Sequence, residues 1–197
     1  MHEVTLSPFL IGKYEVTQAE WMTVMGSNPS WYSLPIFAGS DSRPVETVSW
    51  EDIQGFEVAT GLALPTEAQW EYACRAGTTA PFAGTGNLDD MGWYGNNTPD
   101  ENTYPVGQKQ PNHFGLYDMH GNVAEFCEDI YDEDFYSKPE AKGPDPLATA
   151  GSENRVVRGG HYVDGADSCR SAERYGIFGQ WDRSMDIGFR LAYYPIP

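Results

Sequence analysis

The apolar residues of this chain fall in short clusters, and the polar residues ahead of three clusters mark helix starts. Thr17-Gln-Ala-Glu20, Ser49-Trp-Glu-Asp52 and Thr66-Glu-Ala-Gln69 each set a hydroxyl before an acid or amide in the fourth position. The hydroxyl accepts from the backbone of that fourth residue, whose own side chain reaches back, so two orphan donors are satisfied together. Glu and Gln are the usual reciprocating partners, which makes Asp52 the weakest of the three. Gly26, Gly61 and Gly77 stand where the helices would stop, because glycine accepts the left-handed conformation that ends a helix. The pattern predicts helices over 18–25, 50–59 and 67–76, with Pro65 helping to define the third start.

Beyond Gly77 the periodicity dissolves. Residues 77–112 are rich in Gly, Pro, Asn and Asp, and Trp93, Tyr94 and Tyr104 are the points at which such a loop would be pinned to a core. Strand-like stretches occur at 4–11, 123–129, 156–158 and 189–193. Two stiff blocks, Arg155–Gly160 and Ile187–Leu191, bracket residues 161–186, whose exposed-looking positions carry His, Tyr, Asp, Glu, Phe and Trp. No internal repeat or low-complexity linker interrupts the chain. The expectation is one α+β domain over 1–197, with few short elements and long packed loops.

Composition narrows the function classes. With 197 residues, 40% hydrophobic and 21% charged, the chain can bury a core and is unlike a disordered segment. Twelve basic against 29 acidic residues give a net charge of −17. Neutralising phosphates needs the opposite balance, so nucleic acid is not an expected partner; the acidity suits divalent cations or basic partners. Cys74, Cys127 and Cys169 form no CxxC pair, which leaves three buried thiols or one disulfide rather than a disulfide framework or a zinc site. No apolar stretch is long enough to cross a bilayer and no signal peptide is visible. A leader removed upstream of the first strand-like segment is compatible with this, so the compartment stays open.

Among chemical motifs, His2, His113, His120 and His161 lack metal-ligand spacing, and no G-x-S-x-G elbow, P-loop or dinucleotide fingerprint occurs. The acidic run from Glu128 to Asp134 reads as a solvated face.

Five blocks carry a resemblance. G-K-Y-E-V-T-Q-A-E-W (12–21), R-P-V-E-T-V-S-W (43–50), L-P-T-E-A-Q-W-E-Y-A-C-R-A-G-T (64–78), G-L-Y-D-M-H-G-N-V-A-E-F (115–126) and R-G-G…C-R-S-A…I-G-F-R-L (158–191) follow one another. Together they resemble the formylglycine-generating enzyme (sulfatase-modifying factor) domain family, over nearly the whole chain. The resemblance implies a variant of the C-type lectin fold. Family members that oxidise a substrate cysteine bind copper through two cysteines after the R-G-G motif. Counted from Gly159-Gly160, the first falls here on Asp164 and the second on Cys169. An Asp–Cys pair is a harder donor set than Cu(I) prefers, so copper is not expected and a non-catalytic branch is. The alternative is a copper-dependent formylglycine-generating oxidase, or related oxidoreductase, using Cys169 alone.

The same C-terminal segment, 155–191, also resembles the variable region of ligand-binding proteins diversified by retroelements. The intervening positions His161, Tyr162, Val163, Asp164, Asp167, Ser168, Glu173, Tyr175, Ile177, Phe178, Gln180, Trp181, Ser184, Met185 and Asp186 would then form the binding face. Aromatics there give contact area at low entropic cost and small polar residues give adaptable hydrogen bonds. The partner would be a protein, peptide or glycan. A non-catalytic paralogue that drifted to this composition is an equal reading. Finally, Asp118-Met-His-Gly-Asn-Val-Ala-Glu125 resembles the family's structural calcium segment, which implies Asp118 and Glu125 carboxylates with the Gly121 and Val123 carbonyls as ligands.

Overall fold

The computed structural model describes residues 3–33, 37, 39–177 and 182–194. Its helices are α1 (Gln18–Met25), α2 (Trp50–Thr60), α3 (Glu67–Arg75) and the short α4 (Leu88–Met91). All three expected capping boxes close, Ser49 with Asp52 included. Gly26 and Gly61 end their helices in the left-handed conformation, whereas α3 stops on Ala76 at φ 45°, one residue before Gly77. Helix α4 lies inside the stretch read as irregular, started by the Asn87 side chain accepting from the Asp89 amide.

The strands are β1 (Leu10–Ile11), β2 (Ala124–Ile130), β3 (Arg155–Arg158), β4 (Arg174–Ile177), β5 (Ile187–Gly188) and β6 (Ala192–Tyr193). Four of them form a sheet in the order β4-β3-β2-β5, with only the β2–β5 pair parallel; β1 and β6 make a separate antiparallel ribbon. Three expectations need correcting. The strand at 4–11 reduces to β1 and a single bridge from Thr5 to Pro144. The strand at 189–193 breaks, because Arg190 turns inward to a buried carboxylate between β5 and β6. Strand β4 forms inside the segment read as displayed loop, pairing along the whole of β3.

Side chains alternate across the sheet, so its two faces are chemically distinct. On one face Ala124, Phe126, Val157 and Ile187 pack with Trp21, Ile53, Phe56 and Phe189. Trp21 stacks on Phe56 at 5.2 Å, and Phe189 stands edge-on to both at 6.0 and 5.6 Å. On the other face Cys127 and Val156 meet Trp70, Ala73 and Cys74 of α3. That face also holds buried charge. Glu67 accepts two bonds from Arg174 at 2.6 and 2.7 Å and lies 3.6 Å from Arg158. Arg158 binds Glu71 and the Ser171 carbonyl as well. Glu125 is gripped by Arg190 through two 2.7 Å bonds and accepts from the Trp70 indole at 2.6 Å. Fully desolvated pairs of this kind persist only when each charge is well bonded.

The long 77–112 stretch is pinned as its aromatics suggest. Trp93 stacks on Tyr104 at 4.0 Å, and the Lys109 ammonium sits 4.0 Å over the Trp93 ring. Buried His120 accepts from the Ala83 amide through Nε2 and donates from Nδ1 to the Cys169 carbonyl. Burial lowers its pKa to about 4, so it stays neutral while joining this loop to the C-terminal segment.

Candidate ligand-binding site

A cavity of about 360 Å³ opens over the aromatic face of the sheet, between β4 and β5. Tyr175 and Ile177 enter it from alternate positions of β4, and Ala124 and Ile187 complete an apolar floor. Its polar rim is His161, Asp182, Arg183, Ser184 and Asp186.

The rim is held by local geometry. Gly159 and Gly160, at φ 93° and 70°, turn the chain off β3 in a conformation that L side chains rarely adopt. A Cβ on Gly160 would stand 2.8 Å from the Cys169 sulfur, so the turn folds tightly onto its own end. Next in sequence, the His161 amide donates to Asp164 Oδ2 at 3.1 Å, and the Asp164 amide returns a bond to the His161 carbonyl at 2.9 Å. The Tyr175 hydroxyl donates to the same carboxylate at 3.3 Å, and burial raises its pKa further, so it keeps its proton. His161 Nε2 faces both Asp164 (3.4 Å) and Asp186 (3.6 Å), while its buried Nδ1 has no hydrogen-bond partner among the described residues. Across the opening, Arg183 reaches Asp52 with two bonds of 2.8 and 2.7 Å. Asp52 also closes the capping box of α2 by accepting from the Ser49 amide, so the rim is tied to a helix start.

The structure sorts the expected face residues into groups. His161, Tyr175, Ile177, Ser184 and Asp186 converge on the cavity, with Asp164 bonded behind them. Val163 (43% exposed), Asp167 and Met185 (41%) face solvent outside it. Ser168 is half-buried, and Glu173 turns away to pair with Arg170 at 2.6 Å. Phe178, Gln180 and Trp181 lie outside the described residues. Tyr162 is a correction: expected on the face, it is 3% exposed, and its hydroxyl lies 2.7 Å from that of Tyr32. The bond comes from a loop distant in sequence, and no local pattern announces it. Asp182 and Arg183 lie within the bracketed segment, where no sequence pattern sets them apart from their neighbours. Asp52 gave only a capping signal.

Residues 1–194 match the family described as the sulfatase-modifying factor enzyme 1-like domain. The chain belongs to that family. A formylglycine-generating enzyme of Streptomyces coelicolor is 32% identical over 87% of the chain and 60% of its own length. The chaperone protein LppX of Paenibacillus barcinonensis is also 32% identical, over 84% of the chain and 73% of that protein. The chain thus spans from under two thirds to about three quarters of these two relatives. Among solved structures, Treponema denticola variable protein 1 superposes with a TM-score of 0.89 at 33% identity, covering 98% of this chain and 87% of that one. The U1 variant of Major Tropism Determinant, at 14% identity and a TM-score of 0.54, shares the fold.

The family resemblance implies two metal sites, copper at Asp164 and Cys169 and calcium at Asp118 and Glu125. Copper does not fit. Asp164 is engaged by the His161 amide and the Tyr175 hydroxyl. Cys169 is buried beside Leu88 and Tyr94, outside the cavity lining, and burial with Asp164 nearby pushes its thiol up to about 12. Cu(I) needs thiolates, and here the sulfur is a packed thiol. Calcium fits in part. Asp118 accepts the Gly107 amide at 2.7 Å on one oxygen, and its other oxygen is buried without a partner among the described residues. Glu125 has both oxygens committed to Arg190 and Trp70; as arranged, it is a counter-ion rather than a ligand.

Proposed function

We propose that this chain is a non-catalytic ligand-binding domain whose site is the cavity bordered by His161 and Asp186. One observation carries the reading. The motif residues Arg158 and Arg190 are spent on buried ion pairs of one sheet face, while His161, Tyr175, Ile177, Ser184 and Asp186 from the segment between them converge on an open cavity of the other face. An apolar floor with a few convergent polar groups is the usual anatomy of a small binding site. The likeness to variable protein 1 supports the same reading. The ligand is a protein, peptide or glycan, and the −17 charge argues against nucleic acid.

The test is a displayed library randomised at the cavity residues His161, Tyr175, Ile177, Asp182, Ser184 and Asp186. Most members should express folded, and selection on protein and glycan panels should enrich cavity sequences. If most members misfold, these positions belong to the scaffold and the reading fails. Retroelement diversification of this segment is part of the proposal. A reverse transcriptase gene beside a near-copy of the C-terminal coding segment would support it, and a locus without either would remove it.

Calcium enters as a proposed stabiliser held by Asp118 with the Gly121 and Val123 carbonyls. At a hundredfold excess over Kd it would add about 2.7 kcal/mol. Thermal melts of metal-free protein with calcium and with chelator should differ, and Asp118→Ala should abolish the difference. Identical melts of the unmutated protein would remove calcium from this reading.

A further inference from the structure

The geometry points to a basic side chain, lysine or arginine, from a peptide or protein partner as the occupant of this cavity, an inference that rests on the ligand-binding reading above. The cavity volume of about 360 Å³ lies at the low end for small-ligand sites and suits one long side chain better than an extended ligand. Its floor, Ala124, Ile177 and Ile187, offers apolar surface for a methylene stem.

The rim is rich in acceptors and poor in free donors. Asp182 and Asp186 contribute carboxylates. His161 turns its Nε2 toward Asp164 and Asp186, and its Nδ1 is unpartnered among the described residues. Arg183, the rim's arginine among the described residues, has its Nε and an Nη already given to Asp52. The missing complement is a group that carries positive charge and several N–H donors on an aliphatic stem, and lysine and arginine are the side chains with that make-up. A carboxylate would face the like charges of Asp182 and Asp186, and a purely apolar group would leave those charges unmatched.

The probes are four blocked tripeptides, acetyl-Gly-X-Gly-amide with X as Lys, Arg, Leu or Glu, titrated into ¹⁵N-labelled protein. The Lys and Arg peptides should shift the amides of Ile177, Ser184 and Ile187 saturably, and added salt should weaken them. The double variant Asp182→Asn, Asp186→Asn should lose about tenfold in Lys-peptide affinity, while Asp167→Asn, an exposed acid outside the cavity, should not. Equal binding by the Leu peptide, preference for Glu, or an unaltered affinity in the double variant overturns the basic occupant while leaving a ligand-binding cavity in place. Absence of shifts with all four peptides overturns the occupant as well. The library experiment bears on the cavity's role independently of this outcome.

Discussion

Cys169 shows how one residue's surroundings decide its chemistry. Its sulfur sits against Leu88 and Tyr94, and with Cys74 it is held at a pKa of about 12 by burial; Cys127 is raised as well. All three thiols are free and buried. At pH 7.5 a thiol reagent should therefore label almost none of them in the folded protein and all three in denaturant; rapid native labelling of Cys169 would reopen the oxidase reading. Glu128 gives the opposite kind of test. Half-buried beside Glu57, its carboxyl is raised to about 7, chiefly by desolvation. The folded state then binds a proton that the unfolded state has already lost between pH 4.5 and 7, so this group's contribution to stability falls as pH rises through that window. Glu128→Gln should melt like the parent at pH 5 and be more stable at pH 8, by about 1 kcal/mol once solvent screening at a half-exposed site is allowed for. An equal difference at both pH values would contradict the shifted carboxyl.

At the scale of elements, helix α3 is held as much by charge as by packing. Glu67, its first residue, lies fully buried between Arg158 of β3 and Arg174 of β4. Glu67→Gln would leave Arg174 without its carboxylate partner and Arg158 with Glu71 alone, and should destabilise by about 3–5 kcal/mol, the usual cost of breaking a buried pair from one side. Denaturant unfolding measures it, and a loss below about 1 kcal/mol would mean the network is hydrated. This network also shows what could be read in advance. The Thr66–Gln69 capping box was visible because both partners lie within one turn. The pairing of Glu67 with Arg174, 107 residues away, left no local trace. Helices α1, α2 and α3 were therefore legible almost to the residue. Strand β4, which forms only because β3 offers it an edge, was not.

Across the whole molecule, the fold was carried by motif blocks, and the site was legible only as a segment. Residues 161–186 read in sequence as one segment, whereas the turn after Gly160 and the alternation along β4 decide which of them reach the cavity. Tyr162 and Tyr175 looked alike in sequence; one is sealed against Tyr32 and the other opens onto the site. Among the described residues no helix is long and apolar enough to cross a membrane.

The clasp between Arg183 and Asp52 joins the cavity rim to the first turn of α2. Trp50 opens that turn, with the Arg155 guanidinium 3.5 Å over its ring. Any occupant that pulls on the 182–186 stretch is therefore mechanically coupled to an indole away from the opening. The molecule carries a built-in optical reporter: filling the cavity should change Trp50 emission and slow amide exchange in the first turn of α2. Arg183→Gln should uncouple both signals from occupancy. A spectrum that tracks ligand equally well without the arginine would show that the clasp transmits nothing.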